Sequence, residues 1–150
     1  MKKQQLFLGF ILITLLSLLS CSNEEDAVSV STTKKNLIGS WTKAKVEKRT
    51  NEGQWTDITE NCNLDDVEEY ASNSNWTFYL GTLRCESGAP VLKGSWNLAA
   101  NDTKIIYEYD DYEGQYEKSI ETITENVLIV THSANDLANS QYRYTFNKLE

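Results

Sequence analysis

Along most of the chain after residue 36, apolar and polar residues alternate in short runs separated by turn-forming residues. Trp76, Phe78 and Leu80 share one face of "NWTFYL", and Leu92, Gly94, Trp96 and Leu98 share one face of "LKGSWNL". The same holds for Ile105, Tyr107 and Tyr109 in "KIIYEY", and for Tyr142, Tyr144 and Phe146 in "QYRYTF". A period of two with one apolar face is what an antiparallel sheet needs when it covers a core. Strands are predicted near 37–49, 54–59, 75–80, 91–98, 103–109, 115–124, 126–132 and 140–149. The breaks between them ("TNEGQ", "CESGAP", "AAND", "DDYEG", "TEN", "SANDLANS") are rich in residues that favour turns. One segment reads differently. "NLDDVEEYASN", residues 63–73, sets Val67 and Tyr70 at helical spacing with acids around them, which predicts a short helix between strands 2 and 3.

Eight short strands in sequential hairpins give an all-β domain over residues 37–150. Closing them into an eight-stranded antiparallel up-and-down barrel removes both exposed edges. A two-sheet sandwich accommodates the same strand count.

The front of the chain follows another pattern. Lys2 and Lys3 precede an apolar run from Leu6 to Leu19. As a helix that run reaches about 21 Å, short of the roughly 30 Å hydrocarbon core of a bilayer. Residues 1–20 therefore read as a signal peptide. The segment ends "LLSC", which resembles the lipobox of bacterial lipoproteins. That resemblance implies cleavage before Cys21 and acylation of Cys21, palmitate-type chains then serving as the membrane contact. Residues 21–36 read as a flexible acidic tether. Its "SNEED" is similar to the signal with which some Gram-negative bacteria send lipoproteins to the outer face of the outer membrane. The expected location is the outer membrane, lipid-anchored and surface-exposed.

The whole chain carries 14 basic and 22 acidic side chains, a formal charge of −8. Loss of residues 1–20 removes two lysines and no acids, leaving −10. So acidic a surface argues against nucleic acid as a partner and against adhesion to anionic head groups. With Cys21 lipidated, Cys62 and Cys85 remain as a pair in an oxidising setting, which predicts a disulfide.

"LIGSW" at 37–41 returns as "LKGSW" at 92–96. The first step matches the Gly-x-Trp of lipocalins. More widely, residues 37–150 resemble the short lipocalin-like domain of bacterial lipoproteins. The resemblance is carried in order by Leu37, Gly39 and Trp41; Cys62; Asp65, Asp66 and Tyr70; Cys85; and Gly94 with Trp96. It implies a barrel whose bottom is closed by Trp41 beneath a basic residue of the last strand, the position of Arg143. It also implies that Gly39, Gly94 and Trp96 are structural parts of that closure.

Candidate chemistry changes this picture little. His132 is the single histidine, and Ser133, next to it in a strand, points to the opposite face, so no triad with Asp136 follows. The acidic runs "DDVEEY" and "DDYEG" lack the ligand spacing of a calcium loop. There is no phosphate-binding glycine loop and no nucleophile elbow. No cofactor, no metal and no enzymatic activity are expected. The expected role is a non-enzymatic binding module for a small hydrophobic or saccharide ligand, held by Trp55, Tyr112 and Tyr116 at the open rim. The rival is a protein-interaction or inhibitor module whose barrel is filled by its own rings.

Overall fold

A computed structural model describes residues 30–85, 89–111 and 113–150. The expectations placed on residues 1–20, on Cys21 and on Tyr112 lie outside the described residues. The elements run α1 (Thr32–Leu37), β1 (Gly39–Thr50), β2 (Thr56–Asp57), β3 (Val67–Tyr70), β4 (Asn75–Tyr79), β5 (Val91–Ala99), β6 (Lys104–Tyr109), β7 (Gln115–Ile123), β8 (Val127–Ser133) and β9 (Ser140–Lys148).

Strands β1 and β3 to β9 pair antiparallel in that order, and β9 returns to pair with β1 from Trp41↔Lys148 to Thr50↔Ser140. The result is a closed eight-stranded barrel, as the alternation predicts. The sandwich is excluded, because no edge is left between β1 and β9. Bulges between Lys43 and Lys45 in β1 and between Ile120 and Thr122 in β7 shift the register. Such bulges bend a strand, which a small closed barrel requires.

Two expectations need correction. Residues 67–70 form β3, paired with β1 and β4, and no helix lies there. Spacing suggested one because Val67 and Tyr70 are three apart. In fact Glu68 and Tyr70 are the inward pair, and an inward acid hides the period of two. Meanwhile 54–59, expected as the second strand, contributes only Thr56–Asp57, which pairs with the far half of β1 beside the ring. Eight staves is therefore the correct count, with β3 in the place expected for 54–59.

The short helix is α1, and it takes in residues 32–36 of the expected tether. Ser31 caps it by accepting from Lys34 N–H at 3.1 Å. Leu37, wholly buried, enters the core beside Trp41, Trp96, Ile105, Leu128, Val130 and Phe146. The helix thus closes one end of the barrel, which we call the floor.

The two Gly-Ser-Trp steps have separate backbone reasons. Gly39 sits at φ +131°, a conformation that side-chain-bearing residues avoid. At Gly94 any Cβ would fall on the Glu108 carbonyl of the neighbouring strand. Both indoles are buried, and each donates to a main-chain oxygen: Trp41 Nε1 to Leu37 O at 2.8 Å and Trp96 Nε1 to Ala71 O at 3.1 Å.

Candidate binding site

Above the floor, the barrel is not filled. A cavity of about 180 Å³ opens toward the β4–β5 and β6–β7 turns, lined by Lys43, Glu68, Trp76, Phe78, Leu92, Tyr109, Tyr116, Lys118 and Tyr144. Its walls follow from the alternation. Trp76, Phe78, Leu92, Tyr109 and Tyr144 all belong to the apolar faces read from sequence. Their rings brace one another: Trp76 meets Tyr107 and Tyr109 edge-on at 5.2 and 5.4 Å between centroids, and stacks parallel to Phe78 at 6.3 Å. Edge-to-face pairs of this kind each contribute about 0.5–1.5 kcal/mol beyond area burial.

The base of the cavity is charged. Glu68 and Lys118, both buried, pair at 2.6 Å between Oε1 and Nζ. Tyr70 donates to Glu68 Oε2 at 2.6 Å, and its hydroxyl also meets that of Tyr107. Burial pushes the Glu68 carboxyl up. The charge of Lys118, the hydrogen bonds from Lys118 and Tyr70 and the charge of Lys43 outweigh it and hold the group below its ordinary value. Burial lowers Lys118 and keeps the phenols of Tyr70 and Tyr107 protonated. The second lysine, Lys43, pairs with Asp66 at 2.9 Å and lies 5.5 Å from the Phe78 ring and 5.9 Å from Tyr144.

Sequence reasoning missed these three charged residues, since lysine and glutamate in a strand normally face water. The phase of the alternation did contain them. Lys118 falls between inward Tyr116 and Ile120, Lys43 follows Trp41 by two, and Glu68 precedes Tyr70 by two.

Of the expected rim residues, Tyr116 lines the cavity, and its phenol is raised above its ordinary range, chiefly by burial. Tyr116 also packs on His132 at 4.4 Å between ring centroids. Trp55 does not reach the cavity. It lies on the outer wall between the guanidiniums of Arg49 and Arg143, 4.4 and 4.5 Å from its ring.

This also relocates Arg143, expected over Trp41. Residue 143 faces outward, where it binds Glu47 through Nε at 2.8 Å and Nη2 at 2.7 Å. The cation over Trp41 is Lys148, with Nζ 5.0 Å from the ring. The inward phase of β9 is Ser140, Tyr142, Tyr144, Phe146 and Lys148, so an odd-numbered residue cannot serve.

Cys62 and Cys85 form the predicted disulfide, with Cα atoms 5.3 Å apart. It straps the segment before β3 to the β4–β5 turn, and the paired aspartates do the same. Asp65 accepts from Thr82 N and Leu83 N at 2.7 and 3.2 Å, and Asp66 accepts from Gly81 N at 3.1 Å. Glu60 stands close to both sulfurs, which are already joined to each other. His132, Ser133 and Asp136 do not converge. Burial lowers His132, Ser133 is exposed, and Asp136 is spent on Ala138 N and Ser140 N of its own turn.

No family model matches the chain, and no curated protein matches it either. Among solved structures, it is similar to a crystal structure of a DUF4847 family protein from Bacteroides vulgatus ATCC 8482. The two are 8% identical, the match covers 80% of this chain and 100% of that one, and the TM-score is 0.49.

Proposed function

We propose that the protein is a lipocalin-like lipoprotein of the outer membrane that binds one small, partly apolar ligand in the open half of its barrel and catalyses no reaction. The carrying observation is the aromatic-walled cavity above Lys118 and Glu68. At about 180 Å³ it suits a single ring or a short chain, and Leu92, Tyr109 and Tyr116 also line an adjoining cavity of about 410 Å³ on the side of the β6–β7 turn. Ligand pockets combine mostly apolar walls with a few placed polar groups, and this one has that make-up.

Titration of the full nitrogen-labelled chain with phenol, indole and small sugars tests the reading. A binder is expected to shift the Trp76 indole and Tyr116 signals and to raise the melting temperature by mass action. Unmoved signals across the panel would remove the ligand reading. Anchoring is tested separately: Cys21→Ser is expected to move the protein from the membrane to the soluble fraction, and retention would refute lipidation.

A second reading, docking of a protein partner, draws on Leu64 and Leu83. Both are exposed apolar side chains on the segments that Asp65 and the disulfide hold together. Under that reading, Leu83→Asp abolishes recovery of a stoichiometric partner while leaving small-molecule titrations unchanged.

A further inference from the structure

The charged base of the cavity points to the chemistry of what enters it. Each lysine ammonium has three N–H donors. Lys118 gives one to Glu68 and Lys43 gives one to Asp66, and aromatic rings flank both ammoniums. Lys118 Nζ lies 5.1, 5.7 and 5.5 Å from the rings of Tyr107, Tyr144 and Phe146. Trp76 Nε1, another donor in the same wall, is buried and finds no acceptor among the described residues. Among the described residues lining the cavity the one acid is Glu68, and it has both oxygens taken, one by Lys118 and one by Tyr70. Asp66 stands behind Lys43, where it lines a neighbouring cavity with Cys62 and Cys85. In a chain of net charge −8, this pocket therefore presents two cations, one occupied anion and a surplus of donors.

Stability alone does not account for such an arrangement. A buried ion pair is commonly matched or bettered by apolar residues of similar volume. We infer that the ligand is a small monocarboxylic acid, its carboxylate received by Lys43 and Lys118 and its apolar body set among Phe78, Leu92, Tyr109, Tyr116 and Tyr144. A carboxylate supplies the missing acceptors, and among the described residues lining the cavity the only cations are Lys43 and Lys118, each already sharing its charge with an acid. The inference rests on the ligand-binding reading above and narrows it.

Benzoate and its uncharged analogue benzamide, titrated calorimetrically into the full chain, test it. Benzoate is expected to bind at least about tenfold more tightly, the scale of one hydrogen bond to a charged group. Lys43→Met is expected to remove that preference, bringing benzoate down to within about twofold of benzamide measured on the same variant. Should the buried Asp66 carboxylate, left without its cation, prevent folding, Lys43→Met with Asp66→Asn carries the same expectation. Glu68→Gln keeps a hydrogen-bond partner for Lys118 but removes the competing anion, and is expected to tighten benzoate alone. Equal affinity of benzoate and benzamide, or an undiminished preference in the lysine variants, would overturn the carboxylate inference and leave the pocket reading standing. Binding of neither compound, with the Trp76 signal unmoved, would overturn both.

Discussion

Lys148 lies over Trp41, Nζ 5.0 Å from the ring, and the same ammonium donates to Asn36 O at 2.8 Å. One side chain from the last strand thereby joins the first strand to the end of the helix that closes the floor. A cation over an indole contributes about 0.5–2 kcal/mol, more as water is excluded. Lys148→Met, which keeps the aliphatic stem, is expected to cost about 1–2 kcal/mol in denaturant unfolding. Arg143→Met, on the outer wall against Trp55, is expected to leave the floor intact, with the Trp41 indole N–H resonance unmoved. A shift of that resonance by the arginine variant and none by the lysine variant would reverse the assignment.

The two glycines of the repeated step should differ in how they fail. Gly94→Ala drives a methyl onto the Glu108 carbonyl inside the β5–β6 ladder, where overpacking costs about 1–3 kcal/mol. Gly39→Ala meets backbone strain at φ +131° and the flexible end of Lys148, and strained φ costs about the same. The distinction is spatial. Hydrogen exchange is expected to rise at Glu108 and Tyr109 in the first variant, and at the α1–β1 junction in the second.

Closing the loop between Cys62 and Cys85, separated by 23 residues, should contribute roughly 3 kcal/mol through the unfolded chain. The double variant Cys62→Ser with Cys85→Ser is expected to lose about that much and to retain the barrel, because Asp65 and Asp66 still hold the same two segments. Thermal melts of this variant with and without Asp65→Ala are expected to be strongly non-additive. Simple additivity would show that the two straps act independently.

The closed barrel was legible because its walls obey a plain rule: a ring every second residue, facing in. Trp41, Trp76, Trp96, Tyr107 and Phe146 all follow it, and all are core residues. What sequence could not supply was the charged base of the cavity. Lys43, Glu68 and Lys118 occupy inward phases, but their hydration free energy makes outward the better guess for any one of them alone. Only the closed geometry, which sets β3 beside β1 and brings Lys118 across from Glu68, makes an inward position tolerable. The same blindness produced the false helix at 63–73 and misplaced Arg143, whose phase could have been counted from Phe146. Cys62 and Cys85 were legible by elimination, whereas the outward position of Trp55 depends on two arginines distant from each other in sequence.

The Glu68–Lys118 pair sets the last expectation, a pH dependence with a definite sign. Glu68 has its folded pKa held below the ordinary value of about 4.3 by Lys118, Tyr70 and Lys43, against the opposing pull of burial. A carboxyl whose pKa is depressed on folding contributes stability that is fully present above its unfolded pKa. That contribution is lost as pH falls through the folded value. Stability is therefore expected to be flat in Glu68 above about pH 5 and to decline below about pH 4. Lys118→Met alone leaves a buried carboxylate without its cation and is expected to cost about 3–5 kcal/mol at neutral pH. Replacing both, Glu68→Met with Lys118→Met, should recover most of that loss or exceed wild type, and should flatten the acid limb of the curve. Urea midpoints of the three proteins between pH 3 and 7 measure this. A double variant as unstable as Lys118→Met alone would mean that the pair is part of the architecture of the barrel, and would weaken the case that these charges are kept for a ligand.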